Sequence, residues 1–237
     1  MFDYHGECDI MFIKAPSFGK GIGLDIHVRS TIRNDYSFIE SAAIKIGDDI
    51  LEISAFGQHI FNGVESARFP IEMAGVFPVE YERRDDNTYI FTIFVSEHQH
   101  IVIKSFKDFV SVIFDTAATQ DYVDSTGILG NFTTYERLAR DGVTVMTDDN
   151  AYGQEWQLKP EMDGPPLFQT LRAPQHPQEQ CRLPAKTLSE RRRLGELTVS
   201  QEDAEEACAS WPVGFQNACV YDVLATGDLE MASAGAF

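Results

Sequence analysis

The sequence predicts a mainly β protein: an antiparallel β-sandwich carrying a short α-helical C-terminal appendage. Three observations predict it. From residue 9 to about 118, apolar side chains recur with the period of two that suits half-buried strands. Polar turn signals interrupt that alternation at short intervals, as in all-β folds. Beyond Trp156 the alternation stops, giving way to a Pro-rich stretch and then to helical patterning. The chain therefore divides into a β domain at 1–158, a Pro-rich linker at 159–184 and a small helical segment at 185–237.

The elements follow in order. "LDIHVRS" places Leu24, Ile26 and Val28 on one face of a strand and Asp25, His27 and Arg29 on the other. "AAIKIGDDILEIS" reads as a hairpin, Ile44 and Ile46 before the Asp-Asp turn and Leu51 and Ile53 after it. "QHIFNGVE" carries Asn62-Gly63, the strongest short-range turn signal. "YERRDDNTYIFTIFV" repeats the form around Asp85-Asp86-Asn87. "HIVIKSFKDFVSVIFDT" is apolar on both faces and predicts central strands with a break near Lys107-Asp108. "KPEMDGPPLFQTLRAPQHPQEQC" holds five prolines and little periodicity, so it reads as a linker wrapped on the surface. "SERRRLGEL" is a short amphipathic helix. "SQEDAEEACASW" opens on Ser200 with Asp203 three residues on, a near capping box. "FQNACVYDVLA" forms the next helix and ends at Thr226-Gly227, which puts Cys208 and Cys219 within bridging reach.

Composition narrows the function. A net charge of −18, from 37 acids and 19 bases, supplies no basic field for nucleic acid or anionic lipid. No apolar run reaches membrane-spanning length. Met1 leads into "FDYHGECDI" with neither a basic nor an apolar leader region, so the chain reads as cytosolic or as a piece of a longer polypeptide. Cys8, Cys181, Cys208 and Cys219 allow three pairings if oxidised; buried free thiols in a reducing compartment are the other reading.

Motifs for chemistry are sparse. "STGILGNFTT" at 125–134 sets Gly127 and Gly130 three apart, but it lacks the lysine and following helix of a phosphate loop. "GKGIGLD" leads into a strand, unlike a dinucleotide loop. His98 and His100 in "EHQH" fall on one strand face with no third metal ligand. His5 and Cys8 are placed poorly for a dyad. The acid pairs Asp48-Asp49, Asp85-Asp86 and Asp148-Asp149 sit in turns, where aspartate serves the backbone. Neither GxSxG nor HExxH occurs. No enzyme is expected. Asn131-Phe132-Thr133 is an N-glycosylation sequon.

Taken together and in order, four stretches resemble a von Willebrand factor type D domain. "FDYHGECD" is similar to the family's Phe-x-x-x-Gly-Glu-Cys opening strand, and "STGILGNF" to its Cys-Gly-Leu-Cys-Gly-Asn-Phe loop. "AYGQEWQL" resembles the Phe-Gly-x-x-Trp strand that follows the loop. "FQNACVYDV" resembles the Cys-Ile-Tyr-Asp stretch of the eight-cysteine module that commonly follows the domain, here reduced to two cysteines. The resemblance covers residues 1 to 158, and more loosely to 228.

It implies an antiparallel β-sandwich and a non-catalytic structural or adhesive role in a larger secreted or cell-surface glycoprotein. Partners would be other extracellular proteins or matrix polymers. It implies the disulfides Cys8–Cys181 and Cys208–Cys219, with Gly127, Gly130 and Trp156 as structural residues of the loop region. Thr126 and Leu129 replace the family's loop cysteines, so the thiol pair of disulfide-linked multimers is missing. The family's self-cleaving Gly-Asp-Pro-His strand would lie upstream of Met1, and no autoproteolysis is expected. No cofactor is expected; calcium is the one candidate, with Asn131, Glu136 and Asp141 offering fewer oxygens than the roughly six to eight calcium takes. The alternatives are an intracellular assembly protein of the same fold with free thiols and, behind it, a carboxylate-based hydrolase.

Overall fold

The computed structural model describes residues 4–33, 36–132, 134, 136–171, 181–185 and 187–234. The fold is mixed, with two antiparallel β-sheets and several helices towards the C-terminus. Among the described residues, those of Met1–Thr31 and Phe38–Leu183 group into one compact unit, and those of Ile32–Ser37 and Pro184–Phe237 into a second.

The first sheet is a meander of six strands: β1 (Asp9–Ala15), β2 (Leu24–Arg33), β3 (Tyr36–Ile46), β4 (Asp49–Ser54), β5 (His59–Phe61) and β6 (Val64–Glu65). The second has five: β7 (Ile71–Met73), β8 (Phe77–Arg83), β9 (Thr88–Ser96), β10 (Gln99–Phe106) and β11 (Phe109–Asp115), in sequence order across the sheet. Each strand pairs with its neighbour in sequence, so local turn chemistry sets most registers. Asn62-Gly63 turns β5 into β6, and Lys107-Asp108 turns β10 into β11. β10 lies inside its sheet, whereas β11 forms an edge.

Period-two burial joins the sheets. Leu24, Ile26, Ile44, Leu51 and Ile53 of the first, and Val79, Phe91, Ile93, Ile101 and Ile103 of the second, belong to one apolar core. Burying each such side chain is worth about 1.5–3 kcal/mol. His59 packs against Phe91 of that core. Its ring lies 5.1–5.9 Å from the rings of Phe69, Tyr81 and Phe91, and both ring nitrogens face carbonyls, of Gly57 and Ala67, at 3.0 Å.

Two expectations need correction. The stretch "AYGQEWQL", likened to a strand, instead places Ala151 to Glu155 in a helix, Asp149–Glu155. Asp148 caps it by accepting the Ala151 N–H, and the 3.6-residue period aims Tyr152 and Trp156 into the core together. His98 falls in the β9–β10 turn, so it does not share a strand face with His100.

The described residues of 159–183 group with the first unit. Arg140 fixes the start of this stretch. The guanidinium donates to Asp163 Oδ1 and Oδ2 at 2.5 and 3.1 Å, to Glu155 O at 2.7 Å and to Gln157 O at 2.9 Å, and lies 5.0 Å from the Trp156 ring. Asp163 also accepts the Lys159 N–H.

In the second unit, three short helices are bounded by sequence-coded caps. Thr187 and Glu190 form a capping box for Leu188–Leu194, which Gly195 ends in left-handed conformation. Ser200 caps Gln201–Ala207 through the Asp203 N–H, and Gly227 ends Gln216–Thr226. A 3-10 turn, Leu229–Ser233, closes the unit. Cys208, Cys219, Val223 and Leu224 are buried.

Arg140→Leu is expected to lower stability by about 3–5 kcal/mol, because it strands the buried Asp163 carboxylate. Urea midpoints check this, and Arg140→Leu/Asp163→Leu should recover much of the loss.

Candidate functional site

The residues that carry the motifs meet along the outer edge of β1. An edge strand exposes unpaired N–H and C=O groups, and here three returning segments cover them. Glu7 and Arg182 exchange backbone hydrogen bonds at 2.8 and 3.3 Å just before the strand begins. Leu158 N–H donates to Asp9 O at 2.8 Å, and Met11 N–H to Trp156 O at 2.9 Å. Lys14 and Thr126 exchange bonds of 2.8 and 2.9 Å, while Ile128 N–H reaches Met11 O at 3.0 Å. β1 bulges between Met11 and Ile13 where the glycine loop lies against it.

This contact explains the glycines. Gly127 has φ +129°, and a Cβ there would sit 2.6 Å from Phe12 O. Gly130 has φ +75°, and its Cβ would sit 2.5 Å from Glu136 O. Both allow a backbone approach that a side chain would block. Tyr152 Oη donates to Gly127 O at 3.2 Å, and burial pushes this phenol up to about 12. Phe132 stacks on Tyr122 at 4.6 Å. Leu129 packs against the apolar core. Trp156 donates its indole N–H to Leu138 O at 3.2 Å.

The four cysteines form two disulfides. Cys8 bonds to Cys181 across 173 residues with Cα atoms 5.1 Å apart, and Cys208 to Cys219 across 11 with 5.8 Å. All four are buried. Ser30 positions Cys8, accepting its N–H at 3.2 Å while donating to Gly6 O at 2.6 Å. His5 therefore faces no free thiol at Cys8.

The polar face of β2 is covered as well. Residues 167–170 cross it and are held by charged groups. His27, 1% exposed, accepts the Leu167 N–H at Nδ1. Arg29 grips Asp9 with two bonds of 2.8 and 3.0 Å, donates to Thr170 O at 3.2 Å and lies 4.1 Å from the Phe168 ring. Glu52, 2% exposed, accepts the backbone N–H of Gln169 and Thr170 and the Thr170 hydroxyl. Gln169 donates to Ile60 O and accepts the Gly63 N–H. Sequence reading sees Arg29 and Glu52 as charges in strands; no local pattern marks them as clamps.

The most reactive-looking group on this face is Asp25 with His27. Nε2 lies 3.1 Å from Asp25 Oδ1 but off the hydrogen-bonding line, so neither atom is satisfied. Lys14 Nζ is 4.0 Å from Asp25 Oδ2. Since Nδ1 holds Leu167, the imidazole is built into the covering segment.

The oxygens proposed for calcium are committed elsewhere. Asn131 Oδ1 accepts the Thr134 N–H at 3.0 Å, and Glu136 Oε2 accepts the Thr134 hydroxyl at 2.9 Å. Asp141 accepts the Thr144 hydroxyl and the N–H groups of Val143 and Thr144, all within its own turn. Among the described residues no group of three or more His, Cys, Asp or Glu is placed to hold a metal. Thr133 of the sequon lies outside the described residues.

The acid pairs serve turns. Asp49 accepts the Ala74 N–H and the Asn62 amide, Asp148 caps a helix, and Asp149 pairs with Arg137. The Asn87 N–H holds the Asp85 carboxyl below its ordinary value, and the Thr144 hydroxyl does the same for Asp141. His100 sits 3.5 Å from Asp115.

Compared with known proteins, the sequence matches no family model and no curated protein.

Gly127→Ala should cost more than the roughly 1–3 kcal/mol of left-handed strain, because its Cβ also meets β1. Gly63→Ala, with nothing within 4 Å of its Cβ, should show the strain alone. Urea midpoints of the two variants separate the terms. A depressed carboxyl stabilises above its ordinary value of 3.8 and loses that contribution as pH falls through the lower folded value. Protection factors at Val143 and Thr144, taken against the intrinsic exchange rate at each pH, should therefore fall on acidification below that range, and Asp141→Asn should remove that fall.

Proposed function

We propose that this chain is a non-catalytic structural and adhesive module of a larger secreted or cell-surface protein, organised on the type D plan. The pairing of all four cysteines in buried disulfides carries this reading. Such bonds persist in oxidising compartments and are rare where glutathione keeps thiols reduced. The order of the motifs supports it further. The opening Cys8 stretch, the glycine loop and the Trp156 stretch are distant in sequence yet all lie on the same edge of β1.

A scaffold role also fits the polar groups. Arg29, Glu52, Arg140 and Asp163 are spent on backbone and on each other. The role is to present surfaces to other extracellular proteins or matrix polymers.

Non-reducing peptide mapping of the protein from its native source tests the proposal. Linked Cys8–Cys181 and Cys208–Cys219 peptides are expected. Alkylatable thiols at these positions would sink it in favour of an intracellular assembly protein. Cys8→Ser/Cys181→Ser should lose up to about 4–5 kcal/mol, the chain-entropy value for a loop this long, read as a lower urea midpoint.

A further inference from the structure

The turn between the helices Gln201–Ala207 and Gln216–Thr226 presents apolar side chains outward on a braced frame. Pro212, Val213, Gly214 and Phe215 are all exposed, Val213 at 85% and Phe215 at 60%. Single exposed apolar residues are ordinary. Here the backbone beneath them is held from several sides. The Cys208–Cys219 bond closes the base of the turn. Trp211 donates its indole N–H to Ala232 O at 2.8 Å, and its backbone N–H to Cys208 O at 3.0 Å. Gln216 donates to Trp211 O at 3.0 Å and to Ala209 O at 3.3 Å, and Phe215 N–H closes on Pro212 O at 2.8 Å.

A braced turn loses little conformational freedom on binding, and an aromatic anchor entering a pocket is the usual centre of an interface hot spot. The charge around the turn selects the pocket. No lysine, arginine or histidine occurs after Arg193. The helix that leads into the turn exposes Glu202, Asp203, Glu205 and Glu206. A field of one sign repels anionic bilayers, nucleic acid and a second copy of the same tip, and attracts a cationic rim.

We infer that Val213 and Phe215 form a docking tip for a partner protein whose apolar pocket is ringed by lysine or arginine. This rests on the reading of the chain as a disulfide-formed binding module. It adds to that reading the place of contact and the chemistry of the partner.

The test uses the full oxidised chain and a host that reproduces the pocket: β-cyclodextrin bearing an ammonium rim, with a carboxylated β-cyclodextrin as control. The cationic host should bind at least about ten-fold more tightly, with affinity falling as salt rises. Shifts in the Phe215 ring resonances should locate it. Phe215→Ala and Val213→Ser should each weaken binding while leaving the urea midpoint unchanged, because both side chains face solvent. Equal binding of the two hosts, or full binding by both variants, would overturn the inference. So would Phe215-dependent association with phosphatidylserine vesicles, or a dimer in sedimentation that Phe215→Ala abolishes. Peptide mapping separates the two claims: linked disulfides with no host binding defeat only the docking tip.

Discussion

The outer edge of β1 is the constraint on which the first unit depends. An edge strand is a template that any chain can extend. Here the chain extends it with itself, through Arg182, through Trp156 and Leu158, and through Thr126 to Leu129. Cys8–Cys181 locks one end of that seam, and Gly127 permits the close approach at the other. The core residues Tyr152 and Trp156 reach their places only because this seam brings their helix alongside the sheet.

Charged side chains secure the path of the returning chain. An ion buried without partners is expensive, and an apolar replacement of a whole buried pair is often as stable. The value of Arg29, Glu52 and Arg140 therefore lies in direction as much as in energy. Each is matched to particular backbone groups of 155–170, so a shifted path leaves a buried charge unsatisfied. Apolar contacts alone would accept several registers; these contacts accept few.

The second unit solves the problem of small size in a different way. Its helices are short, and helices of this length are marginal alone. Caps at Thr187, Ser200, Gly195 and Gly227 satisfy their ends, and the Cys208–Cys219 bond joins two of them. The bond also leaves an apolar turn fixed in water instead of folded inward. In both units a disulfide fixes the frame from which the surface is presented.

The amino-acid sequence by itself determined the hairpins, because Asn62-Gly63 and Lys107-Asp108 act through the backbone of a few adjacent residues. It determined the inner faces of the strands, since Leu24, Ile26 and Val28 alternate whatever lies elsewhere, and the helix ends at Ser200 and Gly227. Cysteine spacing left three pairings open, and only the resemblance to a family chose one. The tertiary structure alone decided that the Asp25, His27 and Arg29 face is covered, that Asp148 to Trp156 is a capped helix instead of a strand, and that Arg140 and Glu52 are clamps. It also showed that the glycine loop covers the outer edge of β1. Apart from that helix, which a local cap begins, these features join positions more than a hundred residues apart or match a charge to particular backbone groups. Period, propensity and turn chemistry are local, and they carry no record of which distant segment returns to meet them.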